Sequence, residues 1–349
     1  MQTAAHVDAD PRQAALAAGL VYVAATEKGL RRRRAGKGFI YHDGKGERVD
    51  EARILRRIHA LAIPPAWKGV WICPTPRGHI QAIGFDERGR KQYCYHPRFR
   101  EVREGVKFDH LLAFAAALPA LRGRVEADMR TPGIGHDKVV GAVIHLLETT
   151  MIRVGNQAYA RENHSYGLAS LHSRHVVVEG AEIRFHFTGK SGKTWRLGLR
   201  DRRVARIVRT CQDIPGQALF QYLDDEGARQ TITAADVNRY LKASTGQDIS
   251  AKDFRTWAAT VLAAAALAAL PADDPAARAK ALKAAIAEVA ARLGNTPTVC
   301  RNCYIHPRIM QAYLDGELRL RAPRDPRGLT PDEAAVAAFL RTSPPSTSL

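Results

Sequence analysis

The spacing of apolar residues divides the chain into a sheet-forming front and a mainly helical remainder. Leu20-Val-Tyr-Val-Ala24 is a short apolar run that predicts a strand, and Phe39-Ile40-Tyr41 predicts a second. Between them, Thr26 to Gly38 reads as a turn-rich basic stretch. Asp50 to Ala62 predicts a helix capped by Asp50, with Ile54, Leu55, Ile58 and Leu61 on one face and Pro64-Pro65 as its stop. Val70–Cys73, His79–Gly84 and Gly89–Tyr95 predict three more strands, and residues 1–18 form a loose leader or a first short helix. Residues 96–107 read as a crossover.

Helical spacing follows. Phe108–Leu121 is one segment; in Lys138–Arg153, Val139, Val143, Leu146, Leu147 and Met151 share a face. His175–Val178, Ile183–Phe187 and Thr194–Leu199 predict a three-stranded meander. Arg202 to Arg292 reads as helical again, broken at Pro271–Pro275, and residues 343–349 are expected to fray. The expected architecture is α+β. A small antiparallel sheet domain covers residues 1–97, and a larger helical domain holding the meander covers 98–349.

Composition narrows the function. The 349 residues are 46% hydrophobic, enough for a real core, and carry a net charge of +18. Residues 1–100 hold 19 Lys+Arg against 9 Asp+Glu, so more than half of the surplus sits there. A chain this basic points to a polyanionic partner, nucleic acid first. The most apolar stretch, Ala258–Leu270, is too short to span a bilayer, and the first ten residues lack a signal peptide's basic start and apolar centre. A cytosolic protein is expected. Five cysteines argue against a disulfide framework, and Cys300-Arg-Asn-Cys303 alone is half a zinc site.

Four short segments supply complementary chemistry. Tyr304 is a potential nucleophile, nine residues after Asn295 and a Thr-Pro break. A phenol with an ordinary pKa near 10 attacks phosphorus only with cations beside it and a substrate held in line. Arg153 and Arg255 are potential forks for nonbridging phosphate oxygens; a capping role for Arg153, or an Asp253 salt bridge for Arg255, is the plain alternative. Lys190, in Thr-Gly-Lys-Ser-Gly-Lys193, is either a solvated turn lysine or a general acid for an alkoxide leaving group, with Lys193 competing for that role.

Together these segments resemble the type IB DNA topoisomerases, in particular the short poxvirus-like enzymes of bacteria. Ile152-Arg-Val-Gly155 matches the first arginine motif, Phe187-Thr-Gly-Lys190 the lysine hairpin, and Lys252-Asp-Phe-Arg-Thr-Trp257 the second arginine motif. Gly294-Asn-Thr-Pro297 through Tyr304 matches the tyrosine segment. Gln81–Gly84 and Gly89–Tyr93 resemble the N-terminal clamp domain. Each motif alone is weak; five in order over roughly Leu20–Leu320 are specific. Many members carry histidine where this chain has Asn295, whose amide donates a hydrogen bond without charge.

The resemblance implies relaxation of positive and negative supercoils. Tyr304 would form a 3′-phosphotyrosyl bond in one strand, the strand would rotate, and religation would follow without ATP or metal. Tyr304, Arg153, Lys190, Arg255 and Asn295 would be catalytic, with no cofactor. The expected partner is double-stranded DNA, gripped by a monomeric two-lobed clamp in the nucleoid. Arg31, Arg32, Arg33, Arg34, Lys37, Arg90, Lys91 and Lys252 are candidate DNA contacts, although the Arg31–Arg34 run could be a solvated loop. Tyr159, Asn163 and Ser165 match family positions that contact DNA near the cleaved bond. A tyrosine recombinase is the alternative enzyme, and a non-catalytic DNA-binding protein the alternative class. Recombinases usually carry His-x-x-Arg where this chain has Lys252-Asp-Phe-Arg255.

Overall fold

The computed structural model describes residues 11–24, 28–36, 38–87, 89–270 and 274–342, apart from the side chains of 104–107 and 109. The chain divides into two units, one running to Asp109 and the other starting at His110. Lys37 and the expected fraying of 343–349 lie outside the described residues.

The first unit begins with α1 (Pro11–Ala17), then β1 (Leu30–Ala35) and β2 (Gly38–His42). After α2 (Ala52–Ala60) come β3 (Lys68–Ile72), β4 (Ile80–Phe85) and β5 (Lys91–Tyr95). The sheet order is β2-β1-β3-β4-β5, and every pairing is antiparallel. Pleating sends alternate residues of β3 to opposite faces. Val70 and Ile72 pack with Tyr41, Ile58 and Ala82 beneath α2, while Trp71 packs with Val23, Cys73 and Ile83 on the other side. The face expected for α2 is correct, since Ile54, Leu55 and Leu61 join Ile58 there.

Three expectations for residues 20–62 need correction. The arginine run is β1 rather than a turn: four identical side chains hide the alternation that marks a strand, but Arg31 pairs with His42 and Arg33 with Ile40. The 20–24 segment forms only an isolated bridge, from Val21 to Gly78. Asp50 does not cap α2; it pairs with Arg48 at 2.9 Å, and Glu51 occupies the cap position without a side-chain bond.

The expected crossover at 96–107 is the start of α3 (Pro97–Arg130). Pro97 suits a first helical position because its missing N–H has no intrahelical acceptor to lose. Phe99, buried against Ala14, Ala15 and Leu20, anchors that turn within the first unit.

The second unit continues with α4 (His136–Thr150) and α5 (Gln157–Asn163), then the meander β6 (Val176–Glu179), β7 (Glu182–Thr188) and β8 (Thr194–Arg200). All three meander strands match the sequence expectation, because Ile183, Phe185 and Phe187 alternate with exposed residues. There follow α6 (Arg202–Asp213), β9 (Gln221–Leu223), β10 (Arg229–Thr231), α7 (Ala234–Thr245), α8 (Ala251–Ala268) and α9 (Pro275–Leu293). The β9–β10 hairpin interrupts a stretch expected to be wholly helical; three-residue strands are too short to show a period. The unit closes with α10 (Pro297–Cys303), α11 (Pro307–Leu314) and α12 (Pro331–Arg341). The architecture is α+β, as the sequence implied.

One polar cluster ties four helices of the second unit together. Glu333 of α12 accepts from Arg122 of α3 at 2.7 and 3.0 Å, and from the indole N–H of Trp257 on α8 at 3.0 Å. Arg122 also pairs with Glu148 of α4 at 2.6 Å. Burial opposes the Glu333 charge, but the Arg122 bonds and the Thr330 amide hold its carboxyl below the usual range. Glu333→Ala is therefore expected to destabilise the protein by about 2–4 kcal/mol, since it strands the Trp257 N–H and half of the Arg122 fork. Urea denaturation of the variant beside Glu333→Gln, which keeps an acceptor, measures the difference.

Candidate active site

Arg255 lies in the first turns of α8, whose start is set by Ser250 and Asp253. The Asp253 carboxylate accepts from the Ser250 amide at 2.8 Å and its hydroxyl at 3.0 Å, a capping box that uses up the acid nearest to Arg255 in sequence. Arg255 itself is only 3% exposed. Its guanidinium donates to the Met151 carbonyl and, at 2.6 Å, to the Leu293 carbonyl. Met151 caps the C-terminus of α4 and Leu293 ends α9. Helix ends leave carbonyls without intrahelical partners and carry partial negative charge, so this buried cation sits between two matching acceptors.

The same two helix ends lead directly into two further candidates. After Met151, which adopts a left-handed φ of 56°, the chain runs through buried Ile152 to Arg153. Here α4 stops at Thr150, three residues before the expected end, so Arg153 does not cap its own helix. Its backbone is held by the Leu168 and Ala169 amides, which donate to the Arg153 and Val154 carbonyls at 2.9 and 2.7 Å. Gly155 (φ 85°) permits that approach, since a Cβ there would fall 2.8 Å from the Gly167 Cα. After Leu293, Gly294 (φ 65°) turns the chain and presents Asn295.

Arg153 donates to the Asn295 side-chain oxygen. A guanidinium has no acceptor, so this bond fixes the amide orientation and directs the Asn295 NH₂ away from Arg153. That nitrogen is buried and has no hydrogen-bond partner, as is the Arg255 Nε. The Arg255 pKa is lowered first by burial and then by the positive charge of Arg153. Two cations repelling each other beside two unused donors form a cradle for an anion.

Tyr304 is the C-cap of α10, a helix begun by Thr296 and Pro297 as the sequence break implied. The Tyr304 ring lies 5.2 Å from the Arg255 guanidinium carbon. Its backbone is fixed by Thr260 of α8, which is fully buried. The Thr260 hydroxyl accepts from the His306 amide at 3.1 Å, donates to Thr256 at 2.8 Å and lies 3.2 Å from the Tyr304 carbonyl. Neither Cys300 nor Cys303 is in a disulfide, and burial pushes the Cys300 thiol up to about 11.

Lys190 is exposed in the turn between β7 and β8, closed by the Gly189 amide donating to the Lys193 carbonyl at 2.8 Å. The residue that relates this turn to the others is one the sequence reading passed over. A Cβ on Gly189 would lie 2.7 Å from the Trp195 Nε1, and one on Gly294 would lie 2.6 Å from the Trp195 Cζ2. The indole therefore packs against the glycine that precedes Lys190 and against the glycine that precedes Asn295.

Comparison with known proteins identifies the family. The family described as eukaryotic DNA topoisomerase I, catalytic core, covers residues 96–322, and the bacterial DNA topoisomerase IB N-terminal domain covers residues 38–86. DNA topoisomerase 1B of Acanthamoeba polyphaga mimivirus is 30% identical over 294 residues, 82% of this chain and 88% of its own length. The chain belongs to the type IB DNA topoisomerase family. DNA topoisomerase 1B of vaccinia virus (strain Copenhagen) is 20% identical over 67% of this chain and 72% of its own length. As a type IB topoisomerase the protein is an isomerase that acts on DNA, and no described helix is long and apolar enough to cross a membrane.

The described basic residues among the candidate DNA contacts of this topoisomerase fall into two groups. Arg31, Arg33, Arg34, Lys91 and Lys252 are exposed. Arg32 and Arg90 are committed within the fold. Arg32 donates to the carbonyls of Ile63, Pro64 and Trp67 at 3.1, 3.0 and 2.7 Å and covers the Phe39 ring, while Arg90 pairs with Asp86 at 2.7 Å. Tyr159 and Asn163 lie half-buried on α5 and Ser165 is buried just after it; the Asn163 amide donates to the Tyr159 carbonyl at 3.2 Å and the Ser165 hydroxyl to the Asn163 carbonyl at 3.1 Å.

His306, two residues after Tyr304, gives this segment a pH dependence. Its Nδ1 accepts from the Arg308 amide at 3.1 Å, and burial, with Arg308 nearby, pushes its pKa down to about 4. The folded value lies below the ordinary one, so the unfolded chain binds the proton more tightly. The stabilisation from neutral His306 is complete above about pH 6.5 and is lost as pH falls towards 4. Between pH 7.5 and 5.5 the parent should lose about 1 kcal/mol more stability than His306→Asn, which keeps a capping acceptor. Urea midpoints at the two pH values provide the comparison.

Proposed function

We propose that this topoisomerase relaxes supercoiled duplex DNA by nicking and closing one strand through Tyr304. The observation that carries the reading is the cradle: Arg153 and Arg255 repel each other beside the Tyr304 ring, and the Asn295 amide N–H and Arg255 Nε are buried and unpaired. A phosphodiester placed there brings the negative charge that the two guanidinium groups lack. It also offers nonbridging oxygens to the unused donors.

In the forward step the Tyr304 oxygen bonds to phosphorus and the bond from phosphorus to the 5′-oxygen breaks. The phenol proton passes to solvent, and the Lys190 ammonium gives a proton to the departing 5′-oxygen. The product is a 3′-phosphotyrosyl ester and a free 5′-hydroxyl. Rotation about the intact strand releases supercoils of either sign. Attack by the 5′-hydroxyl then reverses each transfer. One phosphate diester replaces another of similar energy, so the cycle needs no ATP. Arg153, Arg255 and Asn295 stabilise the charge that accumulates on the nonbridging oxygens; losing one such donor commonly costs about 10²–10³-fold in rate. Five cationic groups, Arg31, Arg33, Arg34, Lys91 and Lys252, together with Lys37, Tyr159, Asn163 and Ser165, are assigned to the duplex, and Arg32 and Arg90 to the fold. The protein acts in this reading as a cytoplasmic, nucleoid-associated monomer whose two units clamp DNA.

Relaxation of negatively and positively supercoiled plasmid in EDTA without ATP is the deciding assay, with both substrates expected to relax. Tyr304→Phe should bind duplex as the parent does and form no covalent adduct; an adduct from that variant removes Tyr304 from the mechanism. Lys190→Ala should cleave about 10²–10⁴-fold more slowly, the usual contribution of a general acid. It should recover on a strand with a 5′-bridging sulfur, whose thiolate leaves without acid help. Slow cleavage of both strands would sink the general-acid role.

A further inference from the structure

We propose that Trp195 is a positioning residue, whose indole sets the Lys190 turn and the Asn295 turn in register with each other. The inference rests on the nicking and closing reading and adds to it a residue outside its catalytic set. Phe187 and Trp195 are directly opposed across β7 and β8, with ring planes 1° apart and centroids separated by 6.1 Å. Phe187 is buried, so it fixes the plane of the indole.

From that plane the two edges of the indole reach different turns. The pyrrole edge lies against Gly189 and the benzo edge against Gly294, and neither glycine has room for a Cβ. Gly189 has φ −98°, which any residue can adopt, so its lack of a side chain answers to the indole rather than to backbone geometry. The next residue after each glycine is a proposed participant in the chemistry. A shift of the ring would therefore move Lys190 and Asn295 together.

Little else could replace the indole. Trp195 forms part of the wall of a cavity of about 370 Å³, bordered also by Thr150, Met151, Lys193, Arg292 and Gly294. Truncating the indole would enlarge that space and remove the ring that both turns touch. A displacement near 1 Å at a reacting group can lower the rate by about 10²-fold.

The test is single-turnover formation of the covalent adduct by Trp195→Ala, Lys190→Ala, Asn295→Ala and the double variants that pair Trp195→Ala with each of the others. Trp195→Ala should be about 10²-fold slower than the parent, with duplex affinity within about threefold. Adding it to Lys190→Ala or to Asn295→Ala should cost less than its effect alone, because part of its loss passes through each partner. Cleavage within about threefold of the parent, or penalties that multiply fully in both doubles, would overturn the proposal. Should Trp195→Ala fail to fold, Trp195→Phe replaces it in the same cycles; it keeps an aromatic ring on Phe187 but shortens the edge facing Gly294, and about a tenfold loss is expected. The parallel Lys190→Ala measurement on the 5′-sulfur strand reports on the general-acid reading separately. Were Lys190→Ala as fast as the parent, that reading would fail and Trp195 would be judged on the Asn295 cycle alone.

Discussion

A buried cation between two helix ends is the constraint around which the second unit is arranged. Arg255 is almost inaccessible to water, and isolating a guanidinium in that way is costly unless its donors are satisfied. Here the C-terminal carbonyls of α4 and α9 satisfy two of them. Those carbonyls would otherwise be orphaned, so one side chain meets three needs at once. The chain then leaves each helix end for a different functional segment: Ile152-Arg153 after one, Gly294-Asn295 after the other. Arg255 thus fixes the separation of the two segments as well as lending its charge.

Holding Arg153 near Arg255 costs energy, and two acids close to Arg255 or its helix leave that repulsion unrelieved. Asp253, two residues from Arg255, is consumed by the α8 capping box. Glu333 contacts Trp257 of the same helix but spends its charge on Arg122. Neither acid neutralises the cradle. The Arg122 cluster also joins α3, α4, α8 and α12, so α8, which carries Arg255, and α4, which leads to Arg153, are braced by an ion network. A polar site preorganised for an anion gains most where water is excluded and the donors need no rearrangement. The unpaired Asn295 amide and Arg255 Nε meet that description.

Where residues alternate or repeat with a clear period, the sequence was readable. The meander follows from Ile183, Phe185 and Phe187, and the face of α2 from Ile54, Leu55, Ile58 and Leu61. The family was readable too, from the short segments around Arg153, Lys190, Arg255, Asn295 and Tyr304 taken together. The losses came where one residue type or one local rule masks another. Four consecutive arginines cannot show which of them face inward, so β1 looked like a loop. The charged start of α3 concealed Phe99. The left-handed Met151 ended α4 earlier than its apolar period suggested. Partner identity was harder to read: sequence shows the charge of Arg32 and Arg90 but not the carbonyls and the Asp86 carboxylate that they pair with. Trp195 had a trace in the sequence, namely a glycine immediately before both Lys190 and Asn295, but only the fold shows that one indole touches both.

The contrast between the cradle and the lysine turn fits the two tasks assigned to them. In the proposed reaction, charge on the nonbridging oxygens builds at a fixed place, and Arg153, Arg255 and Asn295 are held by helix ends and backbone bonds. The departing 5′-oxygen of that reaction moves, since the strand it belongs to must leave and later return. Lys190 sits in an exposed turn, next to Ser191 with a left-handed φ of 64°, and is joined to the buried framework by β7 and the Trp195 ring. A rigid set of donors and a proton donor on a longer lever suit a reaction whose electrostatics stay put while its leaving group travels. In the positioning role proposed for Trp195, the indole carries the requirement that both conditions impose: the lever must start from a defined point relative to the donors each time the strand returns.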